Sequence, residues 1–303
     1  MPLKHRTSDN VPVRKAVGDI SYAWSAQTRG GRAVIRLMEN ATGRVGLIKR
    51  ARGYEDDIRA GQTLYSVMAE RYGLTLDVVS GSLDMIPRDG PVILIANHPY
   101  GILDGLMLGQ ILSQSRGDFR ILANAVFNRA PDLNRTLLPI SFETTKEALA
   151  LNLKTRRTAL DYLAEGGAVG VFPGGTVSTG ARPFSRPLDP VWRSFTARMI
   201  AKSRATVVPV CFHGHTSRLF QIASHLHSTL RMGLLIKEFH RRVDTPVQVS
   251  IGAPLGRDVL DPLARDSKAM MDFLRKATYE LAPYPVGPAD LGFEFEERHR
   301  GIR

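Results

Sequence analysis

The chain has 303 residues, 43% of them apolar and 23% charged, and its Lys and Arg exceed its Asp and Glu by twelve. That balance excludes global disorder, allows one large domain or two of ordinary size, and directs the search for partners to acidic surfaces, nucleic acid or anionic membrane. The single cysteine, Cys211, excludes an internal disulfide framework and a multi-cysteine zinc site.

Apolar runs such as 92–96 fall far short of the ~20 residues a spanning helix needs, and the polar first 20 residues lead us to expect no signal peptide. Residues 1–52 hold eleven Lys and Arg against three acidic residues, so most of the positive field is N-terminal. Residues 1–30 are polar and lack periodicity, and they read as a flexible basic arm. Residues 31–72 read as a basic amphipathic helical segment. Two short helices over 31–52 break near Gly43, with Val34, Ile35, Leu37, Met38, Val45, Leu47 and Ile48 set among Arg32, Arg36, Arg44, Lys49 and Arg50. One longer helix follows over 54–72. An apolar face ringed by basic residues suits a lipid interface as well as it suits packing on a domain, and both readings stay open here.

From residue 73 to 285 strands alternate with helices. Strands are expected at 74–79, 91–96, 119–123, 168–172, 207–212 and 247–251. Helices are expected at 102–112, 143–163 and 191–202, the last capped by Asp189 with Pro190 at its first position. A further helical stretch spans 217–241 with a break near Gly233, and another runs from Asp261-Pro262 towards Leu281. This alternation predicts an α/β fold with a mostly parallel central sheet flanked by helices. Residues 286–303 read as a charged tail that wraps the surface.

Three strand ends carry the chemistry. The run Asn97-His98-Pro99-Tyr100-Gly101-Ile102-Leu103-Asp104-Gly105 leaves an apolar strand and enters a helix through a glycine turn. In open parallel sheets that edge binds ligands. A helix start folded over the strand end brings the Asp104 carboxylate to the His98 imidazole, fixing its tautomer and leaving the other nitrogen as a base. The competing reading is a structural histidine beside a helix-capping aspartate. The second run, Phe172-Pro173-Gly174-Gly175-Thr176-Val177-Ser178, ends another strand in a Gly-rich loop whose N–H groups suit an anion or oxyanion. Arg182 and Arg186 follow it. The third, Val207-Val208-Pro209-Val210, reads as a core strand reaching the same edge. His213/His215 and His225/His227 lie at i, i+2, a spacing that does not share a helix face, so they predict no metal site. Cys211 sits in an apolar strand and is expected to be buried and inert.

These three blocks, in this order, resemble the glycerolipid acyltransferase superfamily, and most of all its hemolysin-like branch, which includes enzymes that O-acylate lyso-ornithine lipid. In that branch the first block reads Asn-His-Pro-x-Gly-x-x-Asp-Gly, and residues 97–105 fit every fixed position. Gly174 and Val177 stand where the glycerol-phosphate enzymes carry Glu and a basic residue, which removes a phosphate partner. Arg129 and Arg182 are the candidate replacements. The resemblance implies an O-acyltransferase with His98 and Asp104 catalytic. Asn97, Gly101, Phe172, Pro173, Gly174, Gly175, Thr176 and Ser178 complete the candidate substrate site. It also implies a thioester of acyl carrier protein or coenzyme A as donor, a lysolipid as acceptor, direct transfer without an acyl-enzyme, and no cofactor or metal. Placed beside the basic N-terminal helices, it points to a cytoplasmic protein held peripherally on the anionic inner face of the cell membrane. The alternatives are a lipid ester or thioester hydrolase using the same His–Asp pair, and a basic nucleic-acid-binding protein, although the basic segment lacks aromatic interleaving and recognition motifs.

Overall fold

Residues 92–96, Val-Ile-Leu-Ile-Ala, form an unbroken apolar run, which only a strand buried on both faces accommodates. In the computed structural model, which describes residues 20–26, 28–125, 133–141, 143 and 145–295, this run is β2 (Val92–Ala96), fully buried along its whole length. It lies between β5 (Ala168–Val171) and β8 (Thr206–Phe212), parallel to both, with Ile95 opposite Val171 on one side and Pro209 on the other. β3 (Arg120–Asn124) and β4 (Leu137–Ile140) extend the sheet in parallel beyond β5. On the other side β9 (Pro246–Ile251) runs antiparallel to β8, and β1 (Thr75–Ser80) runs parallel to β9. The order is β1-β9-β8-β2-β5-β3-β4, so the sheet is mostly parallel, as the alternating pattern predicts.

Side chains alternate across a strand, and each face of β2 serves a different core. Val92, Leu94 and Ala96 pack with α5 (Ile102–Arg116), α8 (Arg218–Leu226) and α9 (Ser228–His240). α1 (Arg29–Ala41), α2 (Arg44–Arg50), α3 (Tyr54–Arg59) and α4 (Leu64–Arg71) join that layer through Ile35, Leu47, Tyr54 and Val67. Ile93 and Ile95 pack with α6 (Lys146–Ala164), α7 (Ser194–Ser203), α10 (Arg257–Leu260) and α11 (Ser267–Tyr279). Each large apolar side chain so buried contributes about 1.5–3 kcal/mol.

Several boundaries differ from expectation for identifiable reasons. The helix expected over 54–72 is two, because Gly61 adopts φ +95° and Thr63 caps a new start, its Oγ1 accepting from Ser66 N at 3.2 Å. The break in 217–241 falls at His227, whose extended backbone and Nδ1, accepting from Thr229 N, cap α9. Gly233 instead lies inside α9, where a Cβ would come within 2.8 Å of Met38 Sδ from α1. Asp189 does not cap α7, which begins at Ser194; its carboxylate turns inward to Ser178 and Trp192. β4, and the short hairpin of β6 (Thr179–Gly180) with β7 (Pro187–Leu188), were not expected.

The described parts of the two chain ends pack on the domain. The arm expected over 1–30 is packed at its inner end: Tyr22 is buried, and Glu39 of α1 accepts from Ser21 Oγ at 2.5 Å and Tyr22 N at 2.6 Å. Residues 1–19 and 27 lie outside the described residues. Of the expected charged tail over 286–303, the described part forms a strap. Gly292 N donates to Asp189 O and Phe293 N to Thr179 O, and Phe295 is buried.

Candidate active site

The carboxyl ends of β5, β2 and β8 lie side by side, and the three sequence blocks leave from them. Asn97 follows β2 directly. Its Nδ2 donates to Phe212 O at 2.9 Å and its Oδ1 accepts from Phe212 N at 2.7 Å. Both ends of the amide are therefore spent on the end of β8. Asn97 holds the strand end and is not turned to a ligand, unlike the substrate-binding place expected for it.

His98 comes next. The chain then turns through Gly101, whose φ of +83° only glycine adopts without strain, and whose missing Cβ would lie 3.2 Å from Val177 Cγ2. That turn starts α5 and swings Asp104 back over the strand end. Asp104 is fully buried. Its Oδ2 accepts from Tyr100 N at 2.7 Å and Gly101 N at 2.9 Å, and lies 3.0 Å from His98 Nδ1. The carboxylate caps its own helix and also faces the imidazole. The Nδ1 approach is within hydrogen-bond distance but off the ideal line. Burial pushes the Asp104 carboxyl up from its ordinary range, while His98 and the two amides pull it back. The His98 ring is 18% exposed and stacks on Phe172 at 4.3 Å between centroids.

Phe172 follows β5 directly and opens the glycine loop. Gly175 (φ +68°) closes a tight turn, its N–H donating to Phe172 O at 3.0 Å. Pro173 O accepts from Arg193 N. A Cβ on Gly174 would lie 3.2 Å from the Asp189 side chain, so the loop leaves room there for Asp189. Asp189 is fully buried. It accepts from Ser178 Oγ at 2.5 Å, from the backbone N of His98 at 3.2 Å, and from Trp192 Nε1 at 2.9 Å. Ser178 N in turn donates to His98 O at 2.8 Å. Ser178 is therefore a clamp between loop and histidine, and Asp189 the anchor that sequence reading mistook for a helix cap.

His98, Gly101, Phe172, Gly175 and Thr176 open on one cavity of about 370 Å³, within the size range of small-ligand sites. Its far walls are apolar: Leu64 and Met68 of α4, Leu106 of α5, Ile121 of β3, Leu137 of β4 and Phe239 of α9. Ser21, Tyr22 and Trp24 form another side. Burial drives the Tyr22 hydroxyl pKa upward, so it stays protonated.

Arg182 is exposed and does not line this cavity, and Arg129 lies outside the described residues. The cation that reaches the cavity is Arg231 on α9, which sequence reading left among core positions. The only signal for it was a lone arginine among Leu230, Met232, Leu234 and Leu235. Among the described residues no cluster of His, Cys, Asp and Glu is arranged to hold a metal. His213 lies 2.9 Å from Ser250 Oγ, its pKa lowered by burial, and His225 Nε2 lies 3.0 Å from Gly180 O. Cys211 is buried in β8, its thiol pushed up to about 12 by burial, so it is no nucleophile.

A family model described as Acyltransferase matches residues 63–283. The lyso-glycine lipid O-acyltransferase of Phocaeicola vulgatus is 24% identical over 213 residues, covering 66% of this chain and 71% of that one. Among solved structures, the 1-acyl-sn-glycerophosphate (LPA) acyltransferase PlsC of Thermotoga maritima matches with a TM-score of 0.40 and 18% identity, over 86% of this chain and 85% of that one.

Proposed function

The chain belongs to the acyltransferase family and is an acyltransferase of the lysolipid and glycerolipid type. From that premise we propose that it moves a fatty acyl group from the thioester of acyl carrier protein or coenzyme A to a hydroxyl of a lysolipid. The acceptor is an amino-acid lysolipid, such as the lyso-ornithine or lyso-glycine class, or a lysophospholipid. The observation that carries this reading is His98, its Nδ1 3.0 Å from a fully buried Asp104, standing at the polar end of an apolar cavity.

The acceptor hydroxyl gives its proton to His98 Nε2 as its oxygen attacks the thioester carbonyl carbon. Asp104 favours the imidazolium that forms. The tetrahedral oxyanion meets N–H groups of the loop. The Gly175 amide is tied to Phe172 O, whereas those of Gly174 and Thr176 are unspent within the described residues. The C–S bond then breaks, and the thiolate takes the proton back from the imidazolium. A thioester is already activated, so the reaction needs no metal or cofactor. The apolar walls suit a fatty chain.

The membrane part of the reading rests on the outer face of α1 and α2. Ile35 and Leu47 are buried on the domain, but Leu37 is 71% exposed, with Val34 and Val45 exposed beside it and Arg29, Arg32 and Lys49 around them. Such a face suits an anionic leaflet, each basic residue there adding about 1 kcal/mol. No helix among the described residues is long and apolar enough to cross a membrane.

The test is acyl transfer from carrier-protein and coenzyme A donors to a panel of lysolipids that includes lyso-ornithine lipid and lysophosphatidic acid. Product with at least one pair is expected. Thioester hydrolysis that ignores every lysolipid would replace this reading with the hydrolase. Flotation with anionic vesicles but not zwitterionic ones, weakened by Leu37→Glu, checks the membrane face. Retention on DNA at moderate salt in place of vesicles would overturn it.

A further inference from the structure

Arg231 is the largest fully buried side chain of the described residues, 1% exposed, and it lies in the wall of the cavity. Its Nη1 donates to Thr179 Oγ1 at 2.7 Å and Ser224 Oγ at 2.8 Å, and its Nη2 to Thr176 Oγ1 at 3.0 Å and Val177 O at 2.8 Å. The guanidinium stands over the rings of Phe220 and Phe295 at 5.0 and 4.9 Å. Every one of these partners is neutral. Its Nε has no hydrogen-bond partner, and no carboxylate lies within ion-pair distance of it among the described residues.

A buried charge that is hydrogen-bonded but not neutralised is costly, and proteins seldom keep one without a counter-ion. Here the surroundings press on it hard enough to lower its pKa to about 10, yet it stays charged at neutral pH. Both Nη groups are spent on these partners, Nε is the donor left over, and the residue lies in the cavity wall. We infer that Arg231 is the recognition site for the anionic headgroup of the acceptor lipid, a carboxylate or a phosphate.

The choice of acceptor over donor follows from position. Arg231 holds Thr176 and Val177, the loop that begins at Phe172, whose ring stacks on His98. The group it binds therefore sits close to the hydroxyl being acylated. The phosphates of a donor thioester belong to the carrier end of a long arm and have no reason to enter an apolar interior. The site also answers the loss of a basic residue at Val177: the cation is delivered from α9, across the loop, instead of from within it.

This inference rests on the acyltransferase reading for its ligand, but its test does not need turnover. Three amphiphiles of equal chain length serve as probes below their micelle concentrations: N-lauroylglycine for a carboxylate, dodecyl phosphate for a phosphate, and monolauroylglycerol as the neutral control. Binding is read by calorimetry and by emission of Trp24, which lines the cavity. Wild type is expected to bind one or both anions at least about tenfold tighter than the neutral lipid, the scale of a charge-assisted pair. Arg231→Gln should bring that ratio close to one and leave neutral binding within about twofold. Should that variant not fold, Arg231→Lys, which keeps the charge and loses the fork, should lower the ratio part of the way.

An anion preference that survives Arg231→Gln, or that Arg231→Lys leaves undiminished, overturns the inference, as does a wild type without preference. So does an equal loss for all three lipids, which would make Arg231 a loop clamp only. An Arg231-dependent preference in a protein that transfers no acyl group would uphold this site and sink the function proposed above. Transfer without anion preference would do the reverse.

Discussion

Asp104, behind His98, and Arg231, in the cavity wall, are two buried charges, and they are satisfied in opposite ways. The carboxylate finds its partners within six residues of itself: the amides of Tyr100 and Gly101 and the ring of His98. The guanidinium draws on Ser224 seven residues back and on Thr176, Val177 and Thr179 more than fifty residues away, all uncharged. The first charge is completed by the protein's own chemistry and is set up to act on a proton. The second is held rigidly and left electrically open. Burial without neutralisation is a property of sites that expect a ligand, whereas burial with a local partner is a property of working parts.

His98→Ala should lower kcat by about 10²–10⁴-fold with an unchanged thermal midpoint, the range a positioned general base supplies; an active variant would remove His98 from the chemistry. Asp104→Asn should cost about 10²-fold or more for every acceptor alike, since the tautomer and the imidazolium are affected whatever the headgroup. The double variant should be no slower than His98→Ala. If Asp104→Asn instead discriminated between anionic and neutral acceptors, the division of labour between the two charges would be wrong.

Asp189→Ala should lower stability by about 2–3 kcal/mol, because the Ser178 hydroxyl, the Trp192 indole and the His98 amide lose their shared acceptor. Denaturant melts measure that. It should slow kcat about tenfold by loosening the histidine's backbone, and the shape of the pH–rate profile should not change, since no titrating group of the reaction has been removed.

The smallest effect concerns a third buried charge, Glu39, whose pKa is raised chiefly by burial, against hydrogen bonds from Ser21 and Tyr22. The folded state then holds its proton more tightly than the unfolded one. Glu39 accordingly makes stability fall as pH rises from the ordinary glutamate range through the raised value. Glu39→Gln should remove that slope; a wild-type and variant difference in melting temperature that is flat across this window would contradict it.

The same contrast explains what could be read from the sequence. β2, β5 and β8 were legible because a parallel strand buried on both faces is an uninterrupted apolar run. Their ends were legible as a site because chain direction alone brings carboxyl ends to one edge. His98 and Asp104 were readable because their pairing is local, set by one glycine turn. Asp189 was misread because Asp-Pro is a strong helix-start signal, and nothing nearby in the chain announces that Ser178 and Trp192 compete for the carboxylate. β4 escaped notice as four residues with Pro139 among them. Arg231 escaped because its significance lies in what does not accompany it in space, which no spacing encodes. Arg182 follows the right loop but is exposed and does not line the cavity it was expected to serve.

The Asn97 side chain donates to and accepts from the peptide of Phe212, as a backbone rung would. In effect β2 is one residue longer than its own peptide ladder. A strand end normally frays, and fraying at this position would spread His98 over a range of positions of which few suit proton transfer. By supplying the last rung from a side chain, the sheet carries its stiffness to the residue immediately before the base. The entropy of locating the imidazole is then lost once, on folding, and is not lost again at each encounter with substrate.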